Sequence, residues 1–146
     1  MIRRARPDEI APLVGAYDWL FAPPGSMPPQ WDPDRAAERL AALVAAADGE
    51  VFVADEGGEI VGICTVKLDI ESVRFGQRAW VEDLAVHPDH RSAGHGKALL
   101  DAAKDWGRER GASHLELDSG EARSDAHRFY DREQPSWRSI NFGWQL

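Results

Sequence analysis

Two periodicities divide the chain. Extended, strand-like apolar segments occupy Glu50 to Asp55, Glu59 to Leu68 and Gln77 to Val86, the first two joined by the turn Glu56-Gly57-Gly58. Short connections, the second around Ser72 to Gly76, predict an antiparallel meander of three strands. Helical spacing appears in Asp34 to Ala47, with Ala37, Leu40, Ala41 and Val44 on one face. It returns in Lys97 to Arg110, where Leu99, Ala103 and Trp106 share the inward face and Gly111 supplies the stop. Ile2 to Arg6 reads as a short first strand, and Pro7-Asp8 as the break before a helix reaching about Phe21. Residues 22 to 33, APPGSMPPQWDP, hold five of the nine prolines with no period and form a loop. His114 to Asp118 reads as a strand, Glu121 to Glu133 as a helix, and Trp137 to Leu146 as a final strand with Ile140, Phe142, Trp144 and Leu146 on one face. The resulting order, β-α-α-β-β-β-α-β-α-β, describes an α/β (mixed α+β) domain spanning 1–146, a mixed sheet with helices on both faces.

Composition narrows the classes. A chain of 146 residues, 43% hydrophobic, builds one globular core. No stretch approaches the roughly 20 apolar residues of a membrane span, and the N-terminal basic residues precede no apolar signal segment. The net charge of −8 argues against a nucleic-acid partner and favours a cationic one. A single cysteine, Cys64, excludes an internal disulfide and fits a reducing, cytoplasmic setting. Its alternation with Ile60, Gly62, Val66 and Leu68 predicts a core thiol.

Chemistry concentrates in Trp80 to Gly96, WVEDLAVHPDHRSAGHG. An apolar strand ends at His87-Pro88, and Arg91-x-x-Gly94-x-Gly96 opens directly onto a helix. That helix starts without a Ser, Thr, Asp or Asn cap, so its first N–H groups require another acceptor, and a pyrophosphate supplies one. Gly94 and Gly96 permit close backbone approach, and Arg91 adds charge. The motif alone is weak, since roughly one shuffled chain in ten would show it; its strand-loop-helix context gives it weight. A dinucleotide-binding turn is excluded, because its first glycine position is Arg91 and the strand is the fourth.

These features resemble the GNAT N-acetyltransferase superfamily. The strand VEDLAV, the glycine turn and the segment SDAHRFYDRE all match it as they stand. The resemblance implies a central, largely antiparallel mixed sheet and acetyl-CoA as cofactor. It implies that backbone groups of Leu84, Ala85 and Val86 pair with the pantetheine arm, and that Arg91, Ser92, Ala93, Gly94, His95, Gly96 and Lys97 hold the pyrophosphate. It also implies that Tyr130 lies beside the cofactor sulfur. Two positions depart from the family pattern: Arg123 stands where Asn is common, and Gln134-Pro135 where Gly-Phe is common.

Acetyl transfer to an amine needs a neutral amine, a polarised carbonyl and a proton for the departing thiolate. Tyr130 is the expected proton donor. Glu82 is the expected base, because strand alternation places it with Trp80, Leu84 and Val86; a bulge would exchange its face with that of Asp83. Glu116 is a weaker alternative. His87 and His90 have no third ligand at metal-site spacing, and no metal is expected. The resemblance assigns acceptor contacts to the N-terminal helices, their connection and the middle hairpins, which here offer Tyr17, Trp19, Phe21, Trp31, Asp18 and Asp32. Aromatics beside carboxylates suit a small-molecule amine or amino-sugar, with a protein amine the other acceptor class. Two rival readings stand beside the enzyme: a non-catalytic acyl-CoA sensor on the same fold, and a phosphate-binding α/β domain. The C-terminal strand and exposed tryptophans are a candidate homodimer surface.

Overall fold

The computed structural model describes all 146 residues. Five strands form one sheet in the order β1-β2-β3-β4-β5: β1 (Ile2–Arg4), β2 (Gly49–Glu56), β3 (Glu59–Ser72), β4 (Gly76–Val86) and β5 (His114–Glu116). The first three pairings are antiparallel and β4–β5 is parallel, so the expected mixed, largely antiparallel sheet is present. Five α-helices accompany it: α1 (Ile10–Gly15), α2 (Tyr17–Phe21), α3 (Pro33–Ala45), α4 (His95–Glu109) and α5 (Ser124–Arg132).

Strand alternation sorts the core into two layers. Val51, Val53, Ile63 and Ala85 pack with Leu13, Ala16 and Leu40 of the N-terminal helices. Phe52, Ala54, Cys64 and Val66 turn the other way, onto Leu99, Ala103 and Trp106 of α4. A Cβ on Gly107 would stand 3.2 Å from that of Ala79, so glycine lets α4 approach the sheet closely. Cys64 is fully buried as expected, and burial pushes its thiol up to about 12, which makes it unreactive.

Three expectations are corrected. The first helix is split into α1 and α2 at Ala16, directly after Gly15, a poor helix former. It is preceded by a 3-10 turn, Pro7–Glu9. The final strand is absent: no helix or strand follows α5, and Ile140, Phe142 and Trp144 are 77%, 74% and 80% exposed. Alternation marks a segment that can pair, but a strand also needs an edge. β5 offers only three residues, and Gln134 in the left-handed region (φ 56°) followed by Pro135 turns the chain away after α5. Finally, the strand bounds differ at their ends, with β3 running on to Ser72 and β1 stopping at Arg4.

Candidate active site

The cofactor-type loop begins where β4 ends. A 3-10 turn, Pro88–His90, is capped by His87, whose Nδ1 accepts from the Asp89 N–H at 3.0 Å. The chain then passes through Ser92 (φ 64°) and Gly94 (φ 86°), both left-handed, before α4 starts at His95. The first backbone bond of the helix comes from the Ala98 N–H to the Gly94 carbonyl. The N–H groups from Arg91 to Lys97 precede it and donate to no backbone carbonyl. With the dipole of α4 behind them they form an anion cradle, which fits a pyrophosphate. Of the side chains, Arg91 Nε donates to the Val86 carbonyl at 3.3 Å. Lys97 Nζ lies 2.9 Å from Asp101 and 3.2 Å from Glu133, so its contribution to the cradle is its N–H.

β4 prepares a second element. It pairs with β3 through Val86, but with β5 only at Arg78, Ala79 and Trp80. Beyond Trp80 one edge of β4 is unpaired, including Leu84, Ala85 and Val86. An extended chain can add to such an edge as a strand would.

Within that stretch β4 bulges. The β3 partners run Thr65↔Asp83 and then Val66↔Val81, which leaves Glu82 unpaired. The bulge reverses the alternation: Val81 faces α4, whereas Ala85 faces the N-terminal helices. Glu82 is therefore exposed at a rim, where its Oε2 accepts from Trp80 Nε1 at 2.6 Å. Asp83 takes the inward position. Burial raises its carboxyl above the ordinary range, although hydrogen bonds from Tyr17 and with Thr65 pull it back. Its Oδ2 accepts from the Tyr17 hydroxyl at 2.5 Å, and its N–H donates to Thr65 Oγ1 at 3.0 Å. Burial, then the Asp83 charge, pushes the Tyr17 phenol upward.

Glu82, Asp83 and Tyr17 line a cleft of about 600 Å³ with Trp31, Trp80 and Thr65, floored by Leu40 and Leu43 of α3. Trp31 stacks on Tyr17 (centroids 5.4 Å apart, planes at 27°) and meets Phe21 edge-on at 4.7 Å. The expected acceptor residues thus divide. Tyr17 and Trp31 are in the cleft wall, and Phe21 buttresses Trp31 from behind. Trp19 points elsewhere, edge-on to His87 at 5.2 Å, because it lies two residues beyond Tyr17 on the same short helix. Asp32 caps α3, accepting from the Asp34 N–H at 2.9 Å. Asp18 is exposed.

On α5, Tyr130 lines an open cavity with Trp80, Leu115 and Leu117. Burial, then the nearby Cys64, pushes its phenol up to about 12. Cys64 acts on Tyr17 as well, and the two tyrosines line separate cavities that share Trp80. Glu116 instead pairs with Arg78 at 3.5 Å. Alternation offers Asp83 only as the residue a bulge would exchange with Glu82, and Glu56 only as part of a turn. Only the bulge elevates the first, and only the tertiary fold brings the second beside His90 and His95.

A bulged strand with one edge open therefore leads directly into a turn whose N–H groups have no backbone partners. The model of the acetyltransferase (GNAT) family matches residues 13–134. The chain belongs to the GNAT acetyltransferase family. It is 34% identical over 120 residues to the uncharacterized N-acetyltransferase YhdJ of Bacillus subtilis (strain 168), covering 81% of this chain and 84% of the relative. It is 35% identical over 92 residues to the aminoglycoside N(6′)-acetyltransferase type 1 of Stenotrophomonas maltophilia, covering 60% of each. Its fold superposes with a TM-score of 0.83 on the aminoglycoside N-acetyltransferase AAC(6′)-Iy in complex with CoA, at 16% identity, covering 100% of this chain and 93% of that one. The protein is an acyltransferase of this GNAT family. No helix is long and apolar enough to cross a membrane.

Proposed function

We propose that this GNAT protein, a single domain working in the cytoplasm, transfers the acetyl group of acetyl-CoA directly to a primary amine of a small cationic acceptor, an amino-sugar or polyamine. The observation that carries the reading is the inward carboxylate of Asp83, held by Tyr17 in an aromatic cleft where β4 separates from β5.

Acetyl-CoA supplies an activated acetyl thioester when bound. The N–H groups of Arg91 to Lys97 hold its pyrophosphate, and the open edge at Leu84 to Val86 takes the pantetheine arm. The wall of Tyr17, Trp31 and Trp80 receives the acceptor by cation–π contact, with Glu82 and Asp83 supplying negative charge. Asp83 accepts the proton that the ammonium must lose, since burial has already made its carboxyl more basic. Glu82, exposed at the rim, relays that proton to solvent, a lesser role than the base expected from alternation alone. Tyr130 stays protonated across the physiological range and donates from its hydroxyl to the departing sulfur, and the second proton that the amine nitrogen sheds on forming the amide restores the phenol. The names of relatives that act on aminoglycosides support a small, multiply charged amine as acceptor.

Calorimetric titration with acetyl-CoA, with ATP as control, followed by an amine screen read as free-thiol release, tests the reading. Selective 1:1 binding and amine-dependent thiol release support it. Binding without turnover on any amine would point to a sensor, and no binding would overturn the cofactor assignment.

A further inference from the structure

One cluster of ligating side chains takes no part in the chemistry above. Glu56 ends β2 at the hairpin turn, His90 closes the 3-10 turn after β4, and His95 is the first residue of α4. Glu56 Oε2 lies 2.9 Å from His90 Nδ1, and its Oε1 lies 2.6 Å from His95 Nε2. All three ligand atoms fall within 4.8 Å of one another. The ionic partners of Glu56 are these two imidazoles, with no lysine or arginine among them. The turn carrying His90 is fixed independently, because its N–H donates to the His87 carbonyl at 2.9 Å.

Two imidazoles and one carboxylate are the donor set of three-ligand zinc sites, in which solvent completes the coordination. Mixed nitrogen and oxygen ligation favours zinc or a neighbouring late transition metal over calcium or magnesium, which prefer oxygen alone. We propose that Glu56, His90 and His95 bind a divalent transition-metal ion of the zinc class, which ties the β2–β3 turn to the first residue of α4.

Tetrahedral bonds of about 2.0–2.1 Å need ligand atoms roughly 3.3 Å apart. The contacts of 2.6 and 2.9 Å and the 4.8 Å limit on the whole set bracket that spacing. Glu56 is 43% exposed at its side chain, which leaves a path for the ion to enter. The positive end of the α4 dipole opposes a cation there, and the carboxylate offsets it.

The test titrates the untagged full chain, stripped with chelator, with Zn²⁺ near neutral pH by calorimetry, and follows thermal unfolding with and without Zn²⁺. One equivalent binds the parent and raises its midpoint. Glu56→Gln and His90→Ala each bind at least about tenfold more weakly, since even loss of an outer-shell partner costs that much, whereas His87→Ala binds like the parent. Absence of binding by the parent, or equal binding by the parent and both ligand variants, overturns the site. Should a variant fail to fold, Co²⁺ added to the parent decides: a tetrahedral visible spectrum displaced by Zn²⁺ supports the site, and a spectrum unchanged from aqueous Co²⁺ overturns it.

Discussion

The Tyr17 hydroxyl donates to Asp83 Oδ2 at 2.5 Å, joining α2 to the bulge in β4. The two groups are coupled: burial raises both, Tyr17 draws Asp83 back down, and the Asp83 charge lifts Tyr17 further. Removing the phenol in Tyr17→Phe takes away a hydrogen bond that favours the carboxylate, so the Asp83 carboxyl rises further. The acid limb of kcat/KM then moves to higher pH. A pH–rate profile of the variant checks this, and an unmoved limb would detach Asp83 from the rate.

Asp83 itself sets stability against activity. Its folded pKa is raised, so the stability it contributes is complete below the ordinary carboxyl value near 3.9 and is lost as pH rises through the folded value. Asp83→Asn keeps an acceptor for Tyr17 and removes the charge that burial disfavours. It is expected to be at least as stable as the parent at pH 7, yet to lose about 10²-fold or more in turnover. Urea denaturation and thiol release on the same preparation measure both. A variant that keeps its rate would show that another group takes the proton.

Tyr130 lines a cavity separate from the Tyr17 cleft, and its hydroxyl is the group argued to donate. Tyr130→Phe preserves the ring packing beside Phe129, whose centroid lies 5.1 Å away. Turnover should fall by about 10²-fold with little change in acetyl-CoA affinity. Equal losses of affinity and turnover would mean that Tyr130 binds and does not donate.

Much of this site was legible before the structure. The glycine turn, the strand leading into it and the amphipathic α4 are local patterns, and each lies within a residue or two of where periodicity and capping place it. Tertiary choices were not legible. VEDLAV does not show whether its strand bulges, so alternation puts Glu82 inward and offers Asp83 only as the residue a bulge would exchange for it; the bulge is present and Asp83 holds the position. Asp32 and Trp19 have the right composition for an acceptor site, but one caps α3 and the other meets His87. The C-terminal alternation is real, but β5 presents an edge of only three residues and Gln134-Pro135 turns the chain away from it. Glu56 reaches His90 and His95 only through the hairpin fold, beyond the range of any spacing rule.

Gly94 tests the anion cradle. Its φ of 86° is left-handed, and a side chain there would meet nothing of the protein within 4 Å. Gly94→Val therefore strains the backbone by about 1–3 kcal/mol and leaves the fold standing, while placing its methyls where the pyrophosphate is argued to sit. Acetyl-CoA affinity should drop by more than about tenfold with a modest fall in thermal midpoint, read by calorimetry and circular dichroism. Normal affinity in a folded variant would remove the loop from the cofactor site.

Far from the chemistry, Glu9 anchors the N-terminal strand to the helices. It accepts from Arg3 at 2.7 and 3.0 Å and from the Arg6 N–H at 2.8 Å, while Arg3 also reaches Asp55 at 2.9 Å. The Arg3 hydrogen bonds, chiefly, hold the Glu9 carboxyl below its ordinary value; the Gly58 N–H and Arg3 do the same for Asp55. A depressed carboxyl contributes stability that is present above its unfolded value, about 4.3 for glutamate, and lost as pH falls through the folded one. Glu9→Gln should thus lower unfolding free energy by about 2 kcal/mol at pH 7, the scale of hydrogen bonds to a charged group. The gap should close as pH drops below the folded value, where the parent carboxyl is itself protonated. Urea titrations at pH 7 and at about pH 3 measure it. A gap of the same size at both would assign the loss to packing and not to charge.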